Sequence, residues 1–189
     1  RDAPRRRAAA LSALLRRASE EPVDAIWIGR DLGYRGGRRT GLALTDDVHM
    51  SQHAKRWNVD LAPERPTVGN AVAERTAAVI WGMLEHIDAR IFLWNVFPLH
   101  PHESGDPFTN RQHNARERRA GEELLQQLIV LLRPSRIVAI GNDAAAAAHR
   151  ITDSVLVICV RHPSYGGQTQ FQGQISELYG HPMKTGSLF

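Results

Sequence analysis

Three side chains in this 189-residue chain are of types that do chemistry, and each follows a short apolar run. Asp31 lies in Gly29-Arg30-Asp31-Leu32-Gly33-Tyr34, Asn95 ends Leu93-Trp94-Asn95, and His162 opens His162-Pro163-Ser164-Tyr165-Gly166. A carboxylate can take a proton or offset a growing positive charge. A carboxamide offers a donor and an acceptor side by side, and an imidazole can donate or accept near neutral pH. If the apolar runs are parallel strands, the three groups end on one edge of a sheet and face one cleft. That set suits reading one polar ring and acting on it.

Each motif also has an ordinary explanation. The loop Gly29–Gly41 carries five glycines, which let backbone approach a ligand closely or simply make a flexible surface loop. It is neither GxGxxG nor a Walker A loop. Asn95 could read a nucleobase edge or brace the following loop; as a buried amide it must find partners either way. His162 precedes a proline, so its backbone is biased toward extended geometry, and a lone histidine is as readily structural as catalytic. The hydroxyl of Ser164 and the amides beside it could hold a phosphate or form a solvated turn. His100, His102, Glu103, Asp106 and His113 cluster in sequence, but their spacing matches no clean metal-ligand pattern, so no metal is assigned.

The elements that must position these groups are legible as alternating patterns. Ala25–Gly29, Ile91–Val96, Ile137–Gly141 and Val155–Val160 are continuous apolar runs, as expected of strands covered on both faces. Helical periodicity runs through Val68–Ile87 and Asn114–Leu132, the latter stopping before Pro134. Asp143–His149 and Gln168–Tyr179 read as further helices, and Arg5–Leu15 as an Arg-rich amphipathic one. Strand alternating with helix predicts an α/β fold: a three-layer αβα sandwich around a central four-stranded parallel sheet. Two stretches, Arg30–Pro66 and Leu99–Gln112, resist assignment; long loops inside a compact domain are usually functional.

Composition narrows the classes. The length suits one domain spanning 1–189, with residues 1–20 as the N-terminal Arg-rich helix. Basic residues exceed acidic ones, 24 against 20, and only Lys55 and Lys184 are lysines. That permits a polyanion partner without showing one. The single cysteine, Cys159, reads as a small buried hydrophobe and excludes any four-thiolate metal site. No apolar stretch approaches the ~20 residues of a membrane span. A monomer in a bacterial cytoplasm, associated with the nucleoid, is the expectation.

Taken together, the motifs resemble the uracil-DNA glycosylase superfamily. The first motif of its classical family reads GQDPYHGPGQAHGLCF, and Gly29–Leu44 here reads GRDLGYRGGRRTGLAL without a gap. Its second motif ends in LLLN, against Phe92–Asn95 as FLWN. Its last is HPSPLS, against HPSYGG at His162–Gly167. The intervals, 64 residues from Asp31 to Asn95 and 67 from Asn95 to His162, are similar to that family's. The resemblance covers about Asp24 to Tyr179 and implies a monofunctional, cofactor-free and metal-free DNA repair enzyme. Such an enzyme hydrolyses the N-glycosidic bond of uracil in DNA and releases free uracil, after the nucleotide leaves the stack.

The resemblance assigns roles. Asp31 and His162 would be catalytic. Gly29, Arg30, Leu44 and Asn95 would bind uracil, with Leu44 where the family stacks a Phe. Asn142, Ser164, Tyr165 and Gly166 would contact DNA phosphates or supply the wedge that fills the vacated stack. It also marks departures. The tyrosine that guards the C5 side aligns with Gly33, with Tyr34 one place later, and the wedge leucine aligns with Gly166. The iron–sulfur branches need four cysteines. Two rivals remain: a uracil-DNA binding protein with little turnover, and an enzyme acting on free nucleosides, which would show no salt-sensitive DNA binding.

Overall fold

A computed structural model describes residues 2–60 and 65–180. Part of the Arg30–Pro66 stretch, residues 61–64, lies outside the described residues, as do both chain ends of the assigned domain. The elements run α1 (Ala3–Ser19), β1 (Ala25–Asp31), α2 (Gly37–Thr40), α3 (Met50–Trp57), α4 (Arg75–Leu84), β2 (Ile91–Phe97), α5 (Ala115–Leu132), β3 (Arg136–Ile140), α6 (Asn142–Ile151), β4 (Leu156–Val160) and α7 (Gln168–Tyr179). The strands form one parallel sheet in the order β2-β1-β3-β4. The chain leaves β1 toward one side of the sheet and leaves β3 toward the other. The crevice outside the carboxyl ends of β1 and β3 is therefore the switch point, where open α/β sheets take ligands.

The period-2 alternation of strand side chains divides the core in two. Ile26, Ile28, Phe92, Trp94, Ile137 and Ala139 pack with α1, α3, α5 and α6. Ala25, Trp27, Ile91, Leu93, Val138 and Ile140 pack with α4 and α7 on the opposite face. This is the expected three-layer arrangement. α5 starts with a capping box, in which Asn114 accepts from the Glu117 amide and the Glu117 side chain accepts from the Asn114 amide.

Three expectations need correction. The helix read over Val68–Ile87 is confined to Arg75–Leu84. Pro66, Gly69 and Asn70 break the earlier part, and Glu74 sets the start by accepting from the amides of Thr76 and Ala77. The stretch Arg30–Pro66, which resists assignment from its sequence, holds α2 and α3. The buried face of α3 is Met50, His53 and Trp57, and a histidine in that row hides its helical period. His53 lies against the Trp81 ring, and burial, with the nearby Arg56 charge, pushes its pKa down to about 3, so it sits neutral in the core. Finally, β4 is an edge strand and Cys159 is exposed, not buried.

Candidate active site at the carboxyl edge of the sheet

A cleft of about 490 Å³ opens at the switch point. Asp31 is the last residue of β1 and its carboxylate is only 8% exposed. One oxygen, Oδ2, accepts from Arg30 Nε at 2.8 Å; the other, Oδ1, lies 2.5 Å from His113 Nδ1. Arg30 also reaches Asp143, at 3.1 Å. Burial works against the Arg30 charge, but the bonds to Asp143 and Asp31 outweigh it and raise its pKa.

Asn95 sits one strand away, in register with Gly29. Its side chain is buried, and its Oδ1 has no hydrogen-bond partner. The glycine is required here: a Cβ on Gly29 would stand 2.5 Å from that oxygen and 3.2 Å from the Leu44 side chain. So near its carboxyl end the β1–β2 pair carries an amide that has an open acceptor and a neighbour shaved to backbone.

His162 lies across the cleft, after β4. Ser164 N–H donates to its Nδ1 at 3.2 Å, and Ser164 Oγ is 2.8 Å from the same atom. An Nδ1 that accepts from an amide cannot carry the ring proton, so the neutral ring holds it on Nε2. Burial first, then the charges of Arg30 and Arg161, lowers the pKa of His162. The neutral donor form is thereby favoured near neutral pH.

Two cleft residues are held in the left-handed region without being glycine: Leu44 at φ 51° and Tyr165 at φ 52°. Among the described residues the other two of this kind, Asn58 and Arg133, are ordinary helix C-caps. Left-handed geometry in a bulky residue costs about 1–3 kcal/mol and persists where the surroundings enforce it. At Leu44, the backbone carbonyl is fixed by Trp81 Nε1 at 3.1 Å. Tyr165 is almost fully exposed at the rim.

The structure brings Gly29, Arg30, Asp31, Gly33, Leu44, Asn95, Asn142, His162, Ser164 and Tyr165 into this one cleft. Tyr34 and Gly166 do not line it. The Tyr34 hydroxyl instead accepts from Arg35 Nε at 2.8 Å, which leaves Gly33 facing the cleft. The Ser164 hydroxyl, assigned to a phosphate, lies 2.8 Å from the imidazole Nδ1. Glu74, Thr76 and Asn110 also line the cleft and had no motif to announce them. Asp46 accepts from the Glu74 amide at 2.6 Å, tying the start of α4 to the loop after Leu44. His113 was visible only as one of several histidines, and its contact with Asp31 spans 82 residues. No group of residues that could hold a metal ion occurs among the described residues, and none of their helices is long and apolar enough to cross a membrane.

No curated protein matches the chain. A family model does: that described as the Uracil DNA glycosylase superfamily matches residues 23–178, which takes in all four strands and every cleft residue named above.

Proposed function

This chain belongs to the uracil-DNA glycosylase superfamily, and from that premise we propose that it is a monofunctional glycosylase that removes uracil from DNA. The observation that carries this is Asn95: a buried amide with an unpartnered oxygen, next to a glycine that leaves room for a ring. Uracil presents an N3–H donor beside an O4 acceptor, which a carboxamide matches with Oδ1 and Nδ2. Such a pair of bonds discriminates by about 1–3 kcal/mol.

The bond from C1′ to N1 breaks, and its electron pair moves into the uracil ring and onto O2. His162 donates from Nε2 to that oxygen while neutral, and the Arg30 charge adds to the field there. Stabilising charge on a leaving group in a pre-ordered site is usually the largest catalytic contribution. The ionised Asp31 offsets the positive charge on the sugar and takes a proton from the water that adds to C1′. The departing uracil anion takes up a proton from solvent and Asp31 gives its own up, so the products are an abasic site and free uracil. Leu44 supplies an apolar surface to the base, and Asn142 and Tyr165, which line the cleft, take the DNA-contacting roles in this reading. No step calls on a metal or cofactor, and one copy of the chain carries the whole site.

One observation favours a second reading, a uracil-DNA binding protein with little turnover. Both Asp31 oxygens are already engaged, so water has to compete with Arg30 and His113 for the carboxylate. Oligonucleotides with uracil in a single strand, or opposite Ade or Gua, separate the two. Alkali-labile sites that disappear in Asp31→Asn and His162→Ala support hydrolysis. Tight, salt-sensitive binding without such sites supports the binder. Neither binding nor cleavage rejects both.

A further inference from the structure

We propose that a second nucleic-acid subsite adjoins the cleft, made by the exposed ring of Phe108 with Arg38, Arg39 and Arg65. It takes one unpaired nucleotide of the strand whose base enters the cleft. The base stacks on Phe108 and the adjoining phosphate lies against the arginines. This deepens the glycosylase reading by naming single-stranded DNA as the substrate form, and it rests on that reading only for which strand is bound.

The two surfaces share their walls. Gly37 and Asn110 line the cleft, while Arg38, next in sequence, and Phe108, two residues before Asn110, line a neighbouring hollow of about 800 Å³. Segments Gly33–Thr40 and Leu99–Gln112 thus face the cleft on one side and this hollow on the other. A strand leaving one passes the other.

Phe108 is 64% exposed, yet its loop is tightly braced. Its amide donates to Asp106 Oδ1 at 3.0 Å, and Thr109 Oγ1 donates to Asp106 O at 2.8 Å and accepts from the Glu103 amide at 3.0 Å. His100 Nε2 lies 2.9 Å from Thr109 O. A large apolar ring presented by an ordered loop is unlike one stranded on a frayed loop, and calls for an occupant. The Arg38 guanidinium carbon stands 4.9 Å from the ring centroid and covers one face. The uncovered face is a stacking platform of the kind that single-strand binders use, since every base has a π-face.

The charges fit the same occupant. Asp47 holds Arg39 Nε at 2.6 Å and Arg65 Nη1 at 3.3 Å from the buried side, fixing both arginines. Among the described residues no carboxylate lies within 4.0 Å of the Arg38 guanidinium. The positive field is felt nearby: burial, then the charges of Arg38 and Arg39, lowers the pKa of Arg7. A cationic rim beside an aromatic face selects a strand with phosphates and unstacked bases. Without a side chain at Gly166 to fill an opened duplex, a hold on an unpaired nucleotide beyond the immediate neighbours of the uracil gives the strand a second anchor.

The test uses the full chain and Asp31→Asn, which removes turnover from the binding measurement. Fluorescence anisotropy is read for an 11-nucleotide single strand with central uracil, the same strand with thymine, the 11-base-pair duplex, and a trinucleotide with central uracil. The expected result is that Phe108→Ala weakens both 11-nucleotide strands about 10-fold, within the span for losing one stacked base. Phe108→Trp should hold or tighten them, and the trinucleotide should be unaffected. Arg38→Ala should reduce the slope of log K against log salt by about 0.7, one phosphate contact on a single strand. Wild-type affinity for the 11-nucleotide strands in Phe108→Ala and Arg38→Ala overturns the proposal. So does an equal loss on the trinucleotide, which places the effect in the cleft, or an equal loss on the duplex, which removes the preference for unpaired strand. Loss on both strands in a protein that never releases uracil supports this subsite while rejecting the glycosylase reading.

Discussion

Asp31, the last residue of β1, and Asn95, two residues before the end of neighbouring β2, face one cleft, yet their hydrogen bonding is opposite. Asp31 has a partner on each oxygen, Arg30 on one and His113 on the other. Asn95 has a buried oxygen with none. An unpartnered buried acceptor costs about 1–3 kcal/mol, which the fold carries until a ligand supplies the donor. A carboxylate held between a guanidinium and an imidazole carries the converse burden: its charge is stabilised and its rotamer fixed, and any water must displace or share a partner. The two ends of the cleft are thus prepared differently. One waits for the base, and the other is set in advance for charge on the sugar.

The largest effect should come from Asp31. Asp31→Asn keeps shape but removes the charge and the proton acceptor, so single-turnover cleavage should fall about 10³-fold, in the range for lost general-base catalysis. Binding of uracil-containing strand should remain within a few-fold. A rate within 10-fold of wild type would mean that Asp31 is only a brace for Arg30 and His113, and the comparison would collapse. Next is Gly29→Ala. Its Cβ would crowd the open oxygen of Asn95, so kcat/KM for uracil should fall about 100-fold, at the upper end of a lost bidentate contact. Asn95→Ala should match it. If Gly29→Ala cleaves normally, the open acceptor is not where the base binds.

Much of this contrast was legible in the sequence, but unevenly. Asp31 and Asn95 are each a polar strand residue that comes after an apolar run, and that pattern is local. Leu44 could be placed by a gap-free alignment of motifs, though not its left-handed backbone. The partners were not legible. His113 precedes the Asn114 cap of α5 and meets Asp31 only because α5 packs behind β2, a tertiary contact without local signature. Ser164 showed as a polar turn residue, whereas its amide and hydroxyl both address His162. The α3 helix was hidden by a histidine that is buried in the core and polar in a pattern. Tyr34 has a tyrosine's identity but not the place sequence proximity suggested, since its hydroxyl is taken by Arg35.

His113 offers a sharper cut at the paired end. It touches the carboxylate and does not line the cleft, so it is a positioning residue. His113→Ala should lower kcat about 10-fold with KM unchanged, because a misplaced catalytic group loses rate rather than binding. His113→Asn, whose amide can still donate to Oδ1, should recover part of the loss. A change in KM alone would assign His113 to packing against Phe97, the ring it meets edge-on at 6.2 Å.

The smallest effect tests how the two ends communicate through Arg30, which holds Asp31 and also bears on His162. Hydrogen-bond donation from His162 Nε2 to uracil, without a net charge on the ring, requires the neutral form. That form is present above the folded-state pKa and is lost as pH falls through it. The pKa is held below the ordinary histidine value by burial first, and by Arg30 and Arg161 next, so wild type should keep its activity into mildly acidic solution. Arg30→Gln removes one of those charges. The His162 pKa should then rise and the acid limb of kcat/KM should move toward neutral pH, whatever happens to the plateau. Burial remains in this variant, so the shift should be partial. An acid limb that stays in place would mean that burial and Arg161 alone keep His162 neutral and that Arg30 serves Asp31 only. A limb displaced to lower pH would contradict the sign of the charge effect and would mean that Arg30 does not act on His162 through its charge.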